Sequence, residues 1–181
     1  MKNRSDVITV LIFSLITLSS VVACANKNKA QAGTKDLILP ASSTDSFIYN
    51  YGDASTSPLY HRSYMIRVIP QKIYFSIDVY GEIRGRDSLV LSRASYDSFA
   101  TSINNLHIKY EEESKTEGCT GGTTDALELY AGTSRAVKGH IYYCGGQQFG
   151  NLAGDVASAA GLFKALIPDL QQRIDATRKN N

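Results

Sequence analysis

The strict alternation of side chains in residues 72–83, KIYFSIDVYGEI, constrains the fold of this chain more than any other feature of its sequence. Successive side chains of a β-strand point to opposite faces, so this segment presents one apolar face and one mixed, more polar face. The apolar face carries Ile73, Phe75, Ile77 and Val79, and the other face carries Tyr74, Ser76, Asp78 and Tyr80. The pattern predicts an antiparallel sheet that is buried on one side.

Further strands are predicted on both sides of this segment. The alternation at Phe47, Tyr49 and Tyr51 predicts a first strand that begins near Ser46, and residues 64–69 predict a second strand. After the alternating segment we place a turn at residues 85–87 and a short strand at 89–91. Later strands are predicted at residues 106–110, 126–132 and 135–144, with a long loop at 111–125 and a turn at Gly132.

Two segments change from the period of a strand to that of a helix. In residues 92–106 the apolar positions Tyr96, Phe99, Ala100 and Ile103 recur at i, i+3, i+4 and i+7, with Ser92 as the N-cap. A second helix is predicted at roughly residues 154–178, where Pro168 kinks it or divides it in two. Its apolar face holds Val156, Ala160, Phe163, Ile167, Leu170 and Ile174. The order strands, helix, strands, helix predicts an α+β fold in which two helices pack on one face of an antiparallel sheet.

The amino terminus has the pattern of a signal peptide. Lys2 and Arg4 precede a run without charged residues from 7 to 23, which ends in small residues. A transmembrane helix needs about 20 predominantly apolar residues, and this run is shorter and diluted by serine and threonine. We therefore predict a cleaved signal peptide at residues 1–23, and a retained N-terminal anchor is the alternative.

The end of this run, Val21-Val22-Ala23-Cys24, resembles the lipobox of bacterial lipoproteins. The resemblance implies that Cys24 carries a lipid and is the first residue of the mature chain. Because Ala25 is not the aspartate associated with inner-membrane retention, the resemblance also implies a lipid anchor in the outer membrane that faces the periplasm. More than one acyl chain makes such anchoring stable. The alternative is an ordinary cleavage site beside an unmodified cysteine.

Composition divides the rest of the chain into a tether and a single domain. Residues 24–45 are mostly polar and predict a lipidated N-terminus with a flexible tether, and residues 46–181 predict one globular α+β domain. The chain has 19 basic and 17 acidic residues. The basic residues are scattered rather than gathered in a patch, so we predict no nucleic-acid partner.

Cys119 and Cys144 remain after Cys24 is assigned to the lipid, and two cysteines in an exported chain predict one disulfide bond. Closing a loop of that length stabilises the fold by about 3–4 kcal/mol in the chain-entropy model. The alternative is a free nucleophilic or metal-binding thiol, which the absence of a C-x-x-C motif and of a nearby histidine disfavours.

The residues around the two cysteines are candidate binding loops, because glycine allows close backbone approach to a ligand. These residues are Gly121, Gly122, Gly145, Gly146, Gln147, Gln148 and Phe149. The alternative interpretation is that the glycines only form the turns which bring the two cysteines together.

Other side chains are weaker candidates for chemistry. The acidic residues from Glu111 to Asp125 lack the spacing of a calcium loop, and His61, His107 and His140 lack that of a zinc site. We predict no metal and no cofactor. Asp78 is a possible catalytic carboxylate, although an exposed strand residue is the commoner case. The polar-face tyrosines Tyr74, Tyr80, Tyr130 and Tyr142 bind a partner or glycan, or else pack against a helix.

A second resemblance concerns small exported bacterial lipoproteins of unknown function. It is carried by Tyr110, Cys119, Thr124-Asp125, Leu127 and Leu129, and it implies no activity. The expected function is that of a non-enzymatic envelope lipoprotein that binds a protein or small ligand, such as an inhibitor or an assembly factor. The alternatives are a small envelope hydrolase whose Ser/His/Asp site is assembled by the fold, and a spacer between membrane and cell wall.

Overall fold

The computed structural model describes residues 44–113, 119–131 and 134–179. The predicted signal peptide, Cys24, nearly all of the predicted tether and the turn at Gly132 lie outside these residues. The strands are β1 (Thr44–Gly52), β2 (Ser63–Ile69), β3 (Lys72–Val79), β4 (Glu82–Val90), β5 (Lys109–Tyr110), β6 (Thr123–Ala131), β7 (Ser134–Cys144), β8 (Gln147–Gly150) and β9 (Leu152–Ala153). The helices are α1 (Arg93–Asn104), α2 (Val156–Ala165) and α3 (Leu170–Lys179).

The described residues have an α+β fold with a large antiparallel sheet, so the predicted fold class and the antiparallel sheet are confirmed. Seven strands follow the spatial order β4-β3-β2-β1-β6-β7-β8, and every neighbouring pair is antiparallel. The short strands β5 and β9 form a separate two-stranded pair. Strand β1 lies at the centre of the large sheet, between β2 and β6. Its buried side chains therefore have neighbouring strands on both sides.

Aromatic contacts join the central strand to the helices. The Phe47 ring lies 5.4 Å from the Phe99 ring of α1, and the Tyr49 ring lies 5.4 Å from the Phe163 ring of α2. Phe99 and Phe163 contact each other at 5.0 Å. All four side chains are at most 5% exposed. Burying aromatic side chains of this size supplies a large part of the hydrophobic stabilisation of a small domain.

The third helix contacts the sheet nearer to its β4 edge. Arg173 of α3 donates to Asp87 of β4 at 2.7 Å, and its guanidinium lies 5.3 Å from the centre of the Phe75 ring. Phe75 is paired in register with Asp87, and paired residues share one face of a sheet. Ile174 in the same helix is buried in the hydrophobic core.

The described residues form three helices, so the prediction of two helices is wrong. Residues 154–178 hold two helices, α2 and α3, which are separated by a short segment that contains Pro168. Proline lacks the backbone N–H that a continuing helix needs, and Asp169 after it has a positive φ of 60°. The four-residue connection turns the chain, so α2 and α3 do not form one kinked helix.

The strands and the turn predicted after residue 79 also differ from those in the structure. The predicted turn at residues 85–87 is wrong, because these residues lie inside the continuous strand β4. The turn lies at Tyr80 and Gly81, whose φ angles of 50° and 87° are those of a tight hairpin. Strand β4 lies at the sheet edge and buries little of its surface, so it does not show the alternation of a strand buried on one face.

The predicted strand at residues 106–110 is shorter in the structure. Only Lys109 and Tyr110 are extended, and they pair with β9 instead of joining the large sheet. Strands β8 and β9 have no counterpart in the predicted pattern. Within the described residues, no helix is long and apolar enough to cross a bilayer.

Replacing Phe163 tests the aromatic contacts at the centre of the fold. Because Phe163 is 0% exposed and contacts both β1 and α1, we expect Phe163→Ala to lower the free energy of unfolding by about 3–5 kcal/mol. Urea unfolding followed by circular dichroism measures this change. Val90→Ala is the matched control, because Val90 is 91% exposed, and we expect it to change stability by less than about 0.5 kcal/mol. Equal losses for the two variants would contradict the assignment of Phe163 to the core.

Candidate ligand-binding site

A cavity of about 410 Å³ opens beside the end of β1, where the chain passes from α2 to α3. It is lined by Tyr51, Asp53, Arg62, Tyr64, Lys164, Leu170, Gln171, Ile174 and Arg178. Its volume is in the range of small-ligand pockets. Its walls combine aromatic rings, two aliphatic side chains and several charged groups.

The aromatic wall of the cavity follows from the pairing of β1 with β2. Tyr51 and Tyr64 are partners in register, so their side chains leave the same face of the sheet next to each other. The rings stack with centroids 4.9 Å apart and an angle of 25° between their planes. Tyr64 is buried and Tyr51 is half-buried, so the pair forms a surface that a ligand in the cavity can contact.

A buried carboxylate lies behind this wall. Asp125 of β6 is only 8% exposed and is paired in register with Tyr51. The Tyr49 hydroxyl donates a hydrogen bond to Asp125 Oδ1 at 2.6 Å. A buried carboxylate is costly without such donors, so this bond allows an acidic residue to occupy the apolar face of the strand.

Four tyrosines around Asp125 have raised pKa values. Burial is the main cause of the raised pKa of Tyr49, Tyr51 and Tyr64, and the charge of Asp125 raises each of them further. Burial, with Asp125 again contributing, raises the pKa of Tyr143 to about 12. The hydroxyls therefore remain protonated hydrogen-bond donors throughout the physiological pH range.

Lys164 in the last turn of α2 lies above the tyrosines. Its Nζ is 5.8 Å from the centre of the Tyr49 ring and 5.6 Å from that of Tyr51. An ammonium over an aromatic face is attracted to the ring electrons. This contact places the charge of Lys164 at the cavity, which it lines.

Arg62 is the most deeply buried charged group of the cavity wall, at 2% exposed. Its Nε donates to Thr177 Oγ1 at 2.8 Å and its Nη2 to the Thr177 carbonyl at 3.1 Å. Its Nη1 donates to the carbonyls of Pro58 at 3.0 Å and His61 at 2.6 Å. All of these acceptors are neutral. Burial lowers the pKa of Arg62, and the nearby charges of Arg178 and Arg84 lower it further, whereas the charge of Asp53 raises it.

The acidic residues near Arg62 have partners of their own. Asp53 Oδ1 accepts the backbone N–H of Ala54 at 2.9 Å, and Asp53 Oδ2 accepts that of Arg62 at 2.8 Å. Asp175 accepts Arg178 Nη1 at 2.6 Å and Gln171 Nε2 at 3.1 Å. No described hydrogen bond joins the Arg62 guanidinium to a carboxylate.

The disulfide between Cys119 and Cys144 is present, as the sequence predicts. Gly145 and Gly146 form the turn between β7 and β8 with φ angles of 60° and 78°. A Cβ on Gly122 would lie 2.1 Å from the Tyr143 carbonyl oxygen, so this position requires glycine. These facts fit the interpretation of the glycines as turn residues. None of the seven predicted binding-loop residues lines the cavity: Gly121, Gly122, Gly145, Gly146, Gln147, Gln148 and Phe149.

The three histidines are located in different parts of the fold. His61 is buried before β2, with its Nε2 3.1 Å from Ser63 Oγ and its Nδ1 3.0 Å from the Ala54 carbonyl oxygen. His140 in β7 is 3.7 Å from Glu113, and His107 follows α1. Among the described residues, no three potential metal ligands come together.

The polar-face residues have varied surroundings. Asp78 accepts the Gly81 N–H at 2.8 Å and so stabilises the turn after β3. Tyr74 and Tyr80 are 38% and 56% exposed, so the prediction that they pack under a helix is wrong for these two. Tyr130 donates to Glu128 at 2.9 Å, and the Tyr142 hydroxyl accepts the Gly122 N–H at 2.9 Å.

No motif of the sequence predicted the cavity. One signal was available: Asp125 alternates with the apolar Leu127 and Leu129 and must therefore share their buried face. A carboxylate at such a position requires buried donors, and these are often found at functional sites.

The raised tyrosine pKa values predict a loss of stability in alkali. The unfolded chain releases tyrosine protons near pH 10, whereas folded Tyr49 and Tyr64 retain theirs, so stability is full below pH 10 and falls above it. Each such tyrosine contributes a slope of about 1.4 kcal/mol per pH unit. Urea unfolding between pH 8 and pH 11 measures the slope.

We expect Tyr49→Phe to reduce this slope by the contribution of one tyrosine. Tyr74→Phe is the control, because Tyr74 is 38% exposed and lies on the opposite face of the sheet. If both variants retain the full slope, the raised pKa of Tyr49 does not contribute to it.

Comparison with protein-family models, with curated proteins and with solved structures found no match for this chain. The cavity itself offers aromatic stacking, several cations and tyrosine hydroxyls within one concave surface. These are the features of a site that orients a small polar ligand.

Proposed function

We propose that this chain is an exported lipoprotein, anchored through a lipid on Cys24, whose folded domain is a binding module at the cell envelope. Its role is non-enzymatic, as an inhibitor or an assembly factor that takes a small ligand or a segment of an envelope protein. The proposed location is the outer membrane, with the domain facing the periplasm.

The cavity is the observation that carries the binding role. Its volume of about 410 Å³ and its mixed aromatic and charged lining suit a small polar ligand. The proposal takes all three helices to cover one face of the sheet, which the contacts of Phe99, Phe163 and Arg173 support. In this arrangement the cavity lies where the helical layer changes from α2 to α3.

The disulfide and the lipobox resemblance support export and anchoring, and the predicted tether is consistent with them. The disulfide between Cys119 and Cys144 suits an oxidising compartment such as the periplasm. The predicted tether of about 20 residues, if it behaves as a flexible chain, would have a root-mean-square reach of about 25 Å, enough to lift a domain away from the lipid headgroups. The lipobox resemblance at residues 21–24 supplies the site of attachment.

The intact mass of the protein purified from cell membranes tests the anchor. We expect a chain that begins at Cys24 with added lipid mass, and thiols at Cys119 and Cys144 that react only after reduction. Cys24→Ser is the control and should leave the membrane fraction while its disulfide is unchanged. A mass without lipid that begins elsewhere, or one that retains Met1, would refute the lipid anchor.

A small hydrolase is the second candidate function, and the contact between Ser63 and His61 favours it. Their 3.1 Å separation is that of a nucleophile and its general base. The group on Nδ1 of His61 is the Ala54 carbonyl instead of an aspartate. A fluorophosphonate probe tests this candidate: labelling that Ser63→Ala abolishes and Ser76→Ala retains would support it. No labelling of the wild-type protein would argue against it.

A further inference from the structure

We propose that the cavity binds a small organic anion, a carboxylate or a phosphate ester, with its anionic group between Lys164 and Arg178 and its organic part against Tyr51 and Tyr64. This inference rests on the proposed function, since it names the ligand class of the same cavity.

The charges that line the cavity favour an anion. Arg62, Lys164 and Arg178 contribute three positive charges to the lining, and Asp53 contributes one negative charge. Both oxygens of Asp53 already accept backbone N–H groups, so they are engaged within the loop. Asp125 lies behind the aromatic wall and accepts the Tyr49 hydroxyl. Lys164 lies over the Tyr49 and Tyr51 rings, and an ammonium in such a contact can still donate hydrogen bonds to a ligand.

Arg178 already forms an ion pair with Asp175. The two side chains are 40% and 45% exposed, so the pair is at the surface and is screened by solvent. A guanidinium has five N–H donors, and Arg178 uses one of them on Asp175. It can therefore donate to a second anion without releasing the first.

The buried charge of Arg62 is the strongest physical reason for an anion. This guanidinium is 2% exposed, and all of its described hydrogen bonds go to neutral oxygens. A buried charge is stabilised by a counter-charge at short range, since the dielectric is low there. Asp53 supplies part of this counter-charge, and an anion in the cavity that Arg62 lines would add to it.

The apolar part of the lining indicates an organic ligand. The stacked Tyr51 and Tyr64 rings, together with Leu170 and Ile174, form surface that an inorganic ion could not cover. Burying apolar surface of a ligand against them adds affinity that depends little on salt, whereas the contact with the cations weakens as salt screens it. The two contributions can therefore be separated by experiment.

Four aromatic probes of similar size test the inference: benzoate, phenyl phosphate, benzyl alcohol and benzylammonium. Titration into uniformly ¹⁵N-labelled protein, followed by amide chemical shifts, reports binding at Tyr51, Lys164 and Gln171. We expect the two anions to shift these amides with saturating curves, and we expect the alcohol and the cation to bind at least about tenfold more weakly. Stronger binding of phenyl phosphate would identify a phosphate site, and stronger binding of benzoate a carboxylate site.

A pair of lysine variants distinguishes the cavity from the rest of the surface. Lys164→Met should weaken anion binding at least about tenfold, the loss expected for one charge-assisted hydrogen bond. Lys72→Met is the matched control, because Lys72 Nζ also lies over a tyrosine ring, that of Tyr74, at 4.8 Å but outside the cavity. It should leave affinity unchanged. Arg178→Gln is the second variant and should weaken binding while the fold is retained.

The possible outcomes separate this inference from the proposed function. If benzyl alcohol or benzylammonium binds at the cavity amides more tightly than the anions, the cavity is a ligand site and the anion inference is wrong. If none of the four probes shifts these amides, the proposed ligand site falls and the inference with it. If anions bind equally well to Lys164→Met and to the wild-type protein, the assignment to Lys164 is wrong.

Discussion

The packing of β1 against α1 and α2 is the interaction on which the rest of the structure depends. Strand β1 is the centre of the sheet, and its side chains Phe47 and Tyr49 are fully buried against Phe99 and Phe163. These contacts fix the height of both helices above the sheet. Where they end, at Tyr51, α2 also ends, and the chain turns at Pro168 before α3 begins. The cavity is the space left at this change of helix.

The position of the cavity at the end of the aromatic core explains why buried polar groups lie next to it. Within the aromatic core a charge would lack partners, whereas at the cavity Asp125 has the Tyr49 hydroxyl and Arg62 has a set of carbonyls. These hydrogen bonds hold Asp125 and Arg62 in fixed positions beside the aromatic wall. The same features that stabilise the end of the core therefore provide the groups on which the proposed binding site is based.

The sequence predicted the elements whose signals are local. The apolar residues of α1 recur at helical spacing, and all four of them are buried. Strand β3 alternates because one face is buried, and the disulfide was predicted from two cysteines in a chain expected to be exported. Strand β4 was predicted only at its end, as a short strand at residues 89–91, because an edge strand has few buried side chains and little alternation.

The candidate site was not predictable in the same way. Its residues come from β1, β2, the loop between them, α2 and α3, and Arg62 and Thr177 are 115 positions apart in sequence. No local motif records a contact over that distance. Pairing in the sheet brings Tyr51, Tyr64 and Asp125 together, and the register of three strands decides this.

The bond between Arg62 and Thr177 also makes one wall of the cavity depend on α3. Thr177 lies in the last turns of the final helix, and it provides two of the acceptors of a guanidinium that is otherwise buried near the start of the sheet. Without α3 in place, that guanidinium would lack two of its acceptors and one wall of the cavity would be open. The cavity is therefore completed by a contact between segments 115 positions apart, so neither segment can form it alone.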